Sequence, residues 1–179
     1  AAIYAGLISG ILRSHAMEEP TAAHMLEAIN LSLAERPIDA QYVSMIYAIW
    51  NDVDRALQVA NSGLPKPLHF RDGKVEEIQV TGLPIGLFPS AEYEERKLRG
   101  KPGDIFLFFT DGITDATSST GTMFGRGRLE KVVRDNADKA ADEIAQAIFD
   151  AVSRQAEGVA TFDDQTIVVL KVKGSSAKQ

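Results

Sequence analysis

Between Tyr42 and Thr110 the sequence alternates runs of β-branched and aromatic residues with tight polar turns, a succession that favours antiparallel sheets. Residues 42–50 and 56–59 flank the turn-rich Asn51-Asp52-Val53-Asp54 and predict a hairpin. Residues 68–70 and 75–80 flank Arg71-Asp72-Gly73-Lys74, and residues 93–98 and 105–110 flank Lys101-Pro102-Gly103-Asp104, which predicts further hairpins. Glu92-Tyr93-Glu94-Glu95-Arg96-Lys97 reads as a solvated strand edge.

Helical spacing brackets this β-rich centre. Ile3, Leu7, Ile8, Ile11 and Leu12 recur on one face from the first residues. Thr21 is a candidate N-cap for a second helix running to about Glu35, with Met25, Leu26, Ile29 and Leu33 on its apolar stripe and Pro37 closing it. After the glycine-rich segment 121–127, helices are predicted near 128–136 and over 141–155, where Ile144, Ile148 and Val152 share a face. Residues 166–172 form a closing strand. This order predicts an α+β fold, a layered sandwich of antiparallel sheets rather than alternating βαβ units. Residues 1–173 are expected to form one domain, followed by a polar tail over 174–179.

Composition narrows function by exclusion. The net charge of -6 with no basic run argues against a nucleic-acid partner. The absence of cysteine removes disulfides, thiolate zinc sites and cysteine nucleophiles, leaving oxygen ligands as the metal chemistry. The longest apolar runs, 3–12 and 105–109, are too short to cross a bilayer, and the start lacks a charged leader, so a cytoplasmic protein is expected. His15, His24 and His69 show no paired spacing and read as ordinary histidines. Met17, Met25, Met45 and Met123 read as core filling and Trp50 as a core or rim anchor.

Chemistry-bearing residues stand at two strand ends. Ile105-Phe106-Leu107-Phe108-Phe109-Thr110-Asp111-Gly112 ends an apolar strand in an acid and a glycine. A carboxylate there is held by rigid backbone, as a metal ligand must be, although Asp-Gly alone is also a common turn. Asp163-Asp164-Gln165-Thr166 precedes the apolar Ile167-Val168-Val169-Leu170. Its adjacent carboxylates are tolerated either in water, as a solvated loop, or beside a cation. Together these acids suit oxygen-only ligation of Mg²⁺ or Mn²⁺, ions that can activate water against a phosphate ester. A haloacid-dehalogenase-like phosphatase is disfavoured, because its Asp-x-Asp pattern requires an acid where Ile113 stands.

Several motifs, in order, resemble the SpoIIE/RsbU branch of the metal-dependent protein phosphatases, with the phosphatase 2C-like fold. They are the helix from Ala1 to Leu7, Ala60-Asn61-Ser62-Gly63-Leu64-Pro65-Lys66-Pro67-Leu68, Gly82-Leu83-Pro84-Ile85-Gly86-Leu87-Phe88, Phe109-Thr110-Asp111-Gly112-Ile113-Thr114-Asp115-Ala116, Phe124-Gly125 and Asp163-Asp164-Gln165-Thr166. The resemblance implies two antiparallel sheets packed face to face with helices outside, and a two-metal site for Mn²⁺ or Mg²⁺. It makes Asp111 and Asp163 metal ligands, with Gly112 and Asp164 as supporting neighbours, and gives Asn61 and Gly63 a structural role only. It implies hydrolysis of phosphoserine or phosphothreonine on a STAS-domain anti-anti-sigma factor, and an upstream sensor or receiver domain. The alternative is an inactive regulatory or dimerisation module of the same fold. The opening helices are expected to offer a regulatory or homodimer surface.

Two departures qualify the resemblance. Leu64 stands where the family commonly has His, and the family's Gly-Asp-Val motif, with its bridging aspartate, would precede residue 1, so the domain is expected to be N-terminally incomplete. The chain as given is predicted to fold but to hold little metal at micromolar concentration and to turn over weakly, since Mg²⁺ surrenders its waters reluctantly to two fixed charges. Calorimetric titration with Mn²⁺ and a phosphopeptide assay check this. Tight binding of two ions with brisk turnover would show that other residues complete the site.

Overall fold

The computed structural model of the chain describes residues 2–16, 21–34, 42–156, 158–159 and 163–174. Met17, Pro20, Glu35, Pro37 and the tail beyond Gly174 lie outside them. In chain order the elements are α1 (Ala2–His15), α2 (Ala22–Ala34), β1 (Met45–Asn51), β2 (Ala56–Ser62), β3 (Leu68–Arg71), β4 (Lys74–Glu77), β5 (Glu95–Arg99), β6 (Ile105–Phe109), α3 (Asp111–Thr114), α4 (Gly125–Asp135), α5 (Ala141–Gln155) and β7 (Ile167–Lys171). They form two compact units, Ala1–Leu64 with Gln79–Arg99, and Pro65–Ile78 with Gly100–Gln179. The α+β class with antiparallel sheets is as the sequence predicts. No helix among the described residues is long and apolar enough to cross a membrane.

The first unit holds the antiparallel sheet β1-β2-β5. The β1–β2 register pairs Tyr47 with Ala60 and Met45 with Ser62, so these side chains share a face. Met25, Leu26, Ile29 and Leu33 of α2 are buried in one cluster with Ala60, against which Met45 and Tyr47 pack. That packing accounts for the apolar stripe of α2. Thr21 is its N-cap, its Oγ1 accepting the His24 amide at 3.3 Å. Glu95 on β5 accepts the Ala23 amide at 3.3 Å, which sets a negative charge at the helix start.

The second unit holds the antiparallel sheet β4-β3-β6-β7. Asp72 and Gly73, with φ of 51° and 79°, make the left-handed two-residue turn that an Asp-Gly hairpin requires. Ile105, Phe106, Leu107 and Phe109 are all buried, so β6 is apolar on both faces and takes a central position between β3 and β7. Ile105, Leu107 and Phe109 pack with Leu129 and Val133 of α4 and Ile144, Ile148 and Val152 of α5. Phe106, on the other face, stacks on the His69 ring with centroids 4.5 Å apart.

The structure corrects one predicted hairpin. β5 and β6 do not pair: β5 lies against β2, and β6 against β3 and β7. The physical reason is composition, because Glu95-Arg96-Lys97-Leu98-Arg99 suits an exposed sheet edge while β6 must be enclosed on both sides. The segment Lys101-Pro102-Gly103-Asp104 is a turn, but it leads from one sheet to the other. Smaller differences follow local bonding. β4 ends at Glu77, where the Ile78 amide turns to Pro67 O at 2.8 Å, α4 begins already at Gly125, and Met123 is 58% exposed rather than core.

That turn carries a buried charge. Asp104 is 2% exposed and accepts from Arg71 Nε at 3.0 Å and the Lys101 amide at 2.7 Å, with His69 Nε2 at 3.2 Å. Burial pushes its carboxyl up, but the Arg71, Lys101 and His69 bonds outweigh that and hold it below its ordinary value of 3.8. Asp104→Ala is expected to cost about 2–4 kcal/mol in urea unfolding at neutral pH, the lower part being favoured because Arg71 is 31% exposed. A depressed carboxyl stabilises the fold above its unfolded pKa and loses that effect as pH falls through the folded one. The gap between wild type and variant therefore narrows below about pH 4, and a gap constant down to strongly acid pH would remove this assignment.

Candidate metal centre

β6 leaves the sheet at Thr110, whose φ of -89° and ψ of 158° are still extended, and Asp111 opens the single helical turn α3. The sequence reading ended the strand in an acid here, with a simple turn as the alternative, and predicted no helix. Asp111 is exposed and its Oδ1 accepts the Gly112 amide at 3.1 Å. Across the sheet, Asp163 and Asp164 are exposed just before β7, and Asp163 Oδ1 accepts the Asp164 amide at 2.8 Å. Both acidic segments are thus fixed by their own backbone at the ends of paired apolar strands.

Sequence spacing does not reveal whether these segments meet, and the structure places them side by side. The β6–β7 ladder runs to Phe109 and Ile167, beyond which the Thr110 amide donates to Thr166 O at 3.2 Å. Thr110 Oγ1 donates to Asp164 O at 2.9 Å. Gly112 is buried so closely against the acidic segment that an added Cβ would stand 2.5 Å from Asp164 O and 3.4 Å from Asp163 O. Gly112 therefore has a steric role, letting the two acid-bearing backbones touch.

Asp115, quoted with the sequence motif but given no role, belongs to the same corner. Its amide donates to Asp111 O at 2.8 Å and its carboxylate accepts Thr114 Oγ1 at 3.2 Å. Among the described residues, none of Asp111, Asp115, Asp163 and Asp164 forms an ion pair. Uncompensated carboxylates on adjoining backbone suit a hard divalent cation that takes oxygen ligands and retains water. Among the described residues no three His, Asp or Glu side chains converge as a ligand set. Asp111 and Asp163 offer two carboxylates at this corner, where a hard divalent cation takes about six oxygen ligands.

The other candidates are structural. Asn61 Nδ2 donates to Leu64 O at 2.9 Å and Val80 O at 3.3 Å, and its Oδ1 accepts the Leu64 amide at 3.1 Å. The Gly63 amide donates to Gly82 O at 3.0 Å, and a Cβ on Gly82 would meet Asn61 O at 2.3 Å. These two motifs hold each other. His69 lies at the opposite end of the four-stranded sheet from Asp111, paired with Asp104, and His15 Nδ1 is 3.0 Å from Ser14 Oγ on α1. Asn30, unremarked in the sequence, is buried and clamps the loop after β4 through Gly86, Phe88 and Pro89.

Several known proteins resemble this chain in sequence or fold. The chain is 24% identical over 144 residues to the phosphoserine phosphatase RsbU of Bacillus subtilis, covering 79% of this chain and 42% of that protein, so it spans less than half of that relative. The phosphatase domain of the cell fate determinant SpoIIE from Bacillus subtilis, Mn-presoaked, superposes with a TM-score of 0.67 at 22% identity over 97% of this chain and 73% of that one. The SiaA-PP2C domain of Pseudomonas aeruginosa gives a TM-score of 0.78 at 22% identity over 93% of this chain and 70% of that one. At such identities the structural likeness establishes the fold. The Stage II sporulation protein E (SpoIIE) profile matches residues 1–173, nearly the whole chain, and the protein belongs to that family of phosphatase 2C-type domains.

Proposed function

We propose that this chain is the catalytic domain of a metal-dependent protein serine/threonine phosphatase, acting in the cytoplasm on phosphoserine or phosphothreonine of a STAS-type regulatory protein. The observation that carries the reading is the contact of the two acid-bearing strand ends, with Thr110 bonded to Asp164 O at 2.9 Å and Gly112 against the same carbonyl. Membership of the SpoIIE family and similarity to a phosphoserine phosphatase support it. Asp111 and Asp163 would hold Mn²⁺ or Mg²⁺, which supplies Lewis-acid stabilisation of phosphoryl charge and a more acidic water when bound. The chain's own part is to fix the two carboxylates from rigid strand ends, with Gly112 and Asp164 keeping the segments in register. An upstream sensor or receiver domain and a second copy of the chain are the further partners this reading includes.

The lack of a third converging acid or histidine among the described residues favours a second reading, an inactive regulatory module of the same fold. The two are separable by mutation. In the native gene product, Asp111→Asn and Asp163→Asn are each expected to lower phosphopeptide turnover by about a hundredfold or more at saturating Mn²⁺, with the circular dichroism of the folded protein retained. Asp164→Asn should have a milder effect. Near-wild-type turnover in either of the first two variants would remove the ligand assignment, and no turnover by the folded wild type would leave the regulatory reading.

A further inference from the structure

We infer that Thr110 is a positioning residue whose hydroxyl clasps the two acidic segments together and thereby sets the spacing of Asp111 and Asp163; the inference rests on the metal-site reading above. In an antiparallel ladder a hydrogen-bonded pair exchanges two backbone bonds. The β6–β7 register makes Thr110 and Thr166 the next pair after Phe109 and Ile167. Only one of their bonds is made by backbone alone, from the Thr110 amide to Thr166 O at 3.2 Å. The Thr110 carbonyl has turned away and accepts the Ile113 amide at 3.1 Å as α3 begins. Thr110 Oγ1 takes its place, accepting the Thr166 amide at 3.0 Å and donating its own proton to Asp164 O at 2.9 Å.

The hydroxyl is withheld from its usual use. Thr110 is the N-cap of α3, where a threonine oxygen ordinarily accepts an amide of the first turn, yet it makes no such bond. One side chain thus lets the chain leave the sheet at Asp111 while keeping Asp163-Asp164-Gln165-Thr166 tied to the strand it left. Without the hydroxyl, the Thr166 amide and the Asp164 carbonyl both lose their partner, and the Asp163 segment is free to move relative to Asp111. Groups that orient metal ligands typically alter affinity about 10–100-fold when removed.

The test is Mn²⁺ titration of the ¹⁵N-labelled chain, read as paramagnetic broadening of the amides of Asp111, Gly112, Asp163 and Asp164, alongside thermal unfolding. Thr110→Val keeps the shape and removes the hydroxyl, and Thr110→Ser keeps the hydroxyl. The Mn²⁺ concentration for half-broadening is expected to rise about tenfold or more in the valine variant and to stay within about twofold of wild type in the serine variant. A merely structural role would lower the unfolding temperature without moving the Mn²⁺ midpoint. An unmoved midpoint in Thr110→Val, or a tenfold shift in Thr110→Ser, overturns the clasp while leaving the metal site standing. Wild-type spectra in which Mn²⁺ broadens none of these four amides selectively overturn the metal-site reading and the clasp with it.

Discussion

Strand β6 has to be enclosed on both faces, and much of the second unit follows from that need. Burying each of its large apolar side chains contributes about 1.5–3 kcal/mol, which no edge position would provide. The strand is therefore flanked by β3 and β7, with α4 and α5 covering the face of Ile105, Leu107 and Phe109. The polar groups at its two ends are then fixed in place by the same burial. Asp104 enters at one end, buried and paired with Arg71, and Asp111 leaves at the other, exposed to solvent.

The contrast between those two aspartates is a matter of partners. Asp104 has a guanidinium, a backbone amide and an imidazole around it, so its charge is compensated inside the protein. Among the described residues, the bonds that the Asp111 and Asp163 carboxylates accept come from the amide of the residue that follows each of them. The first arrangement stabilises a fold and leaves nothing to bind. The second keeps carboxylate oxygens available to a cation, and it is tolerated because water screens them.

Much of this was legible in the sequence wherever a pattern was local. The stripe of Ile144, Ile148 and Val152, the N-cap Thr21 and the Asp72-Gly73 hairpin depend on neighbours within a few residues, and each formed as read. The pairing of β5 with β2 and of β6 with β7 depends on segments far apart in the chain, and a turn between two strands does not say that those strands pair. The acids Asp111 and Asp163 were visible from their places at strand ends. Their juxtaposition was not, because it follows from β6 pairing with β7.

Thr110 was hidden for a different reason. Nothing in composition or periodicity distinguishes a threonine at a strand end from any other β-former, and its neighbour Asp111 draws attention as the charged group. Its importance appears only when the backbone bonds at the corner are counted: a carbonyl committed to α3 cannot also complete the ladder with Thr166. A chain that turns sharply out of a sheet to present an acid must lose a rung of that sheet, and a hydroxyl one residue before the acid is the shortest side chain able to replace it. The Thr-Asp-Gly sequence thus combines three physical requirements: a replacement for the lost rung, a carboxylate at the mouth of the strand, and a residue without Cβ where the Asp164 backbone comes closest.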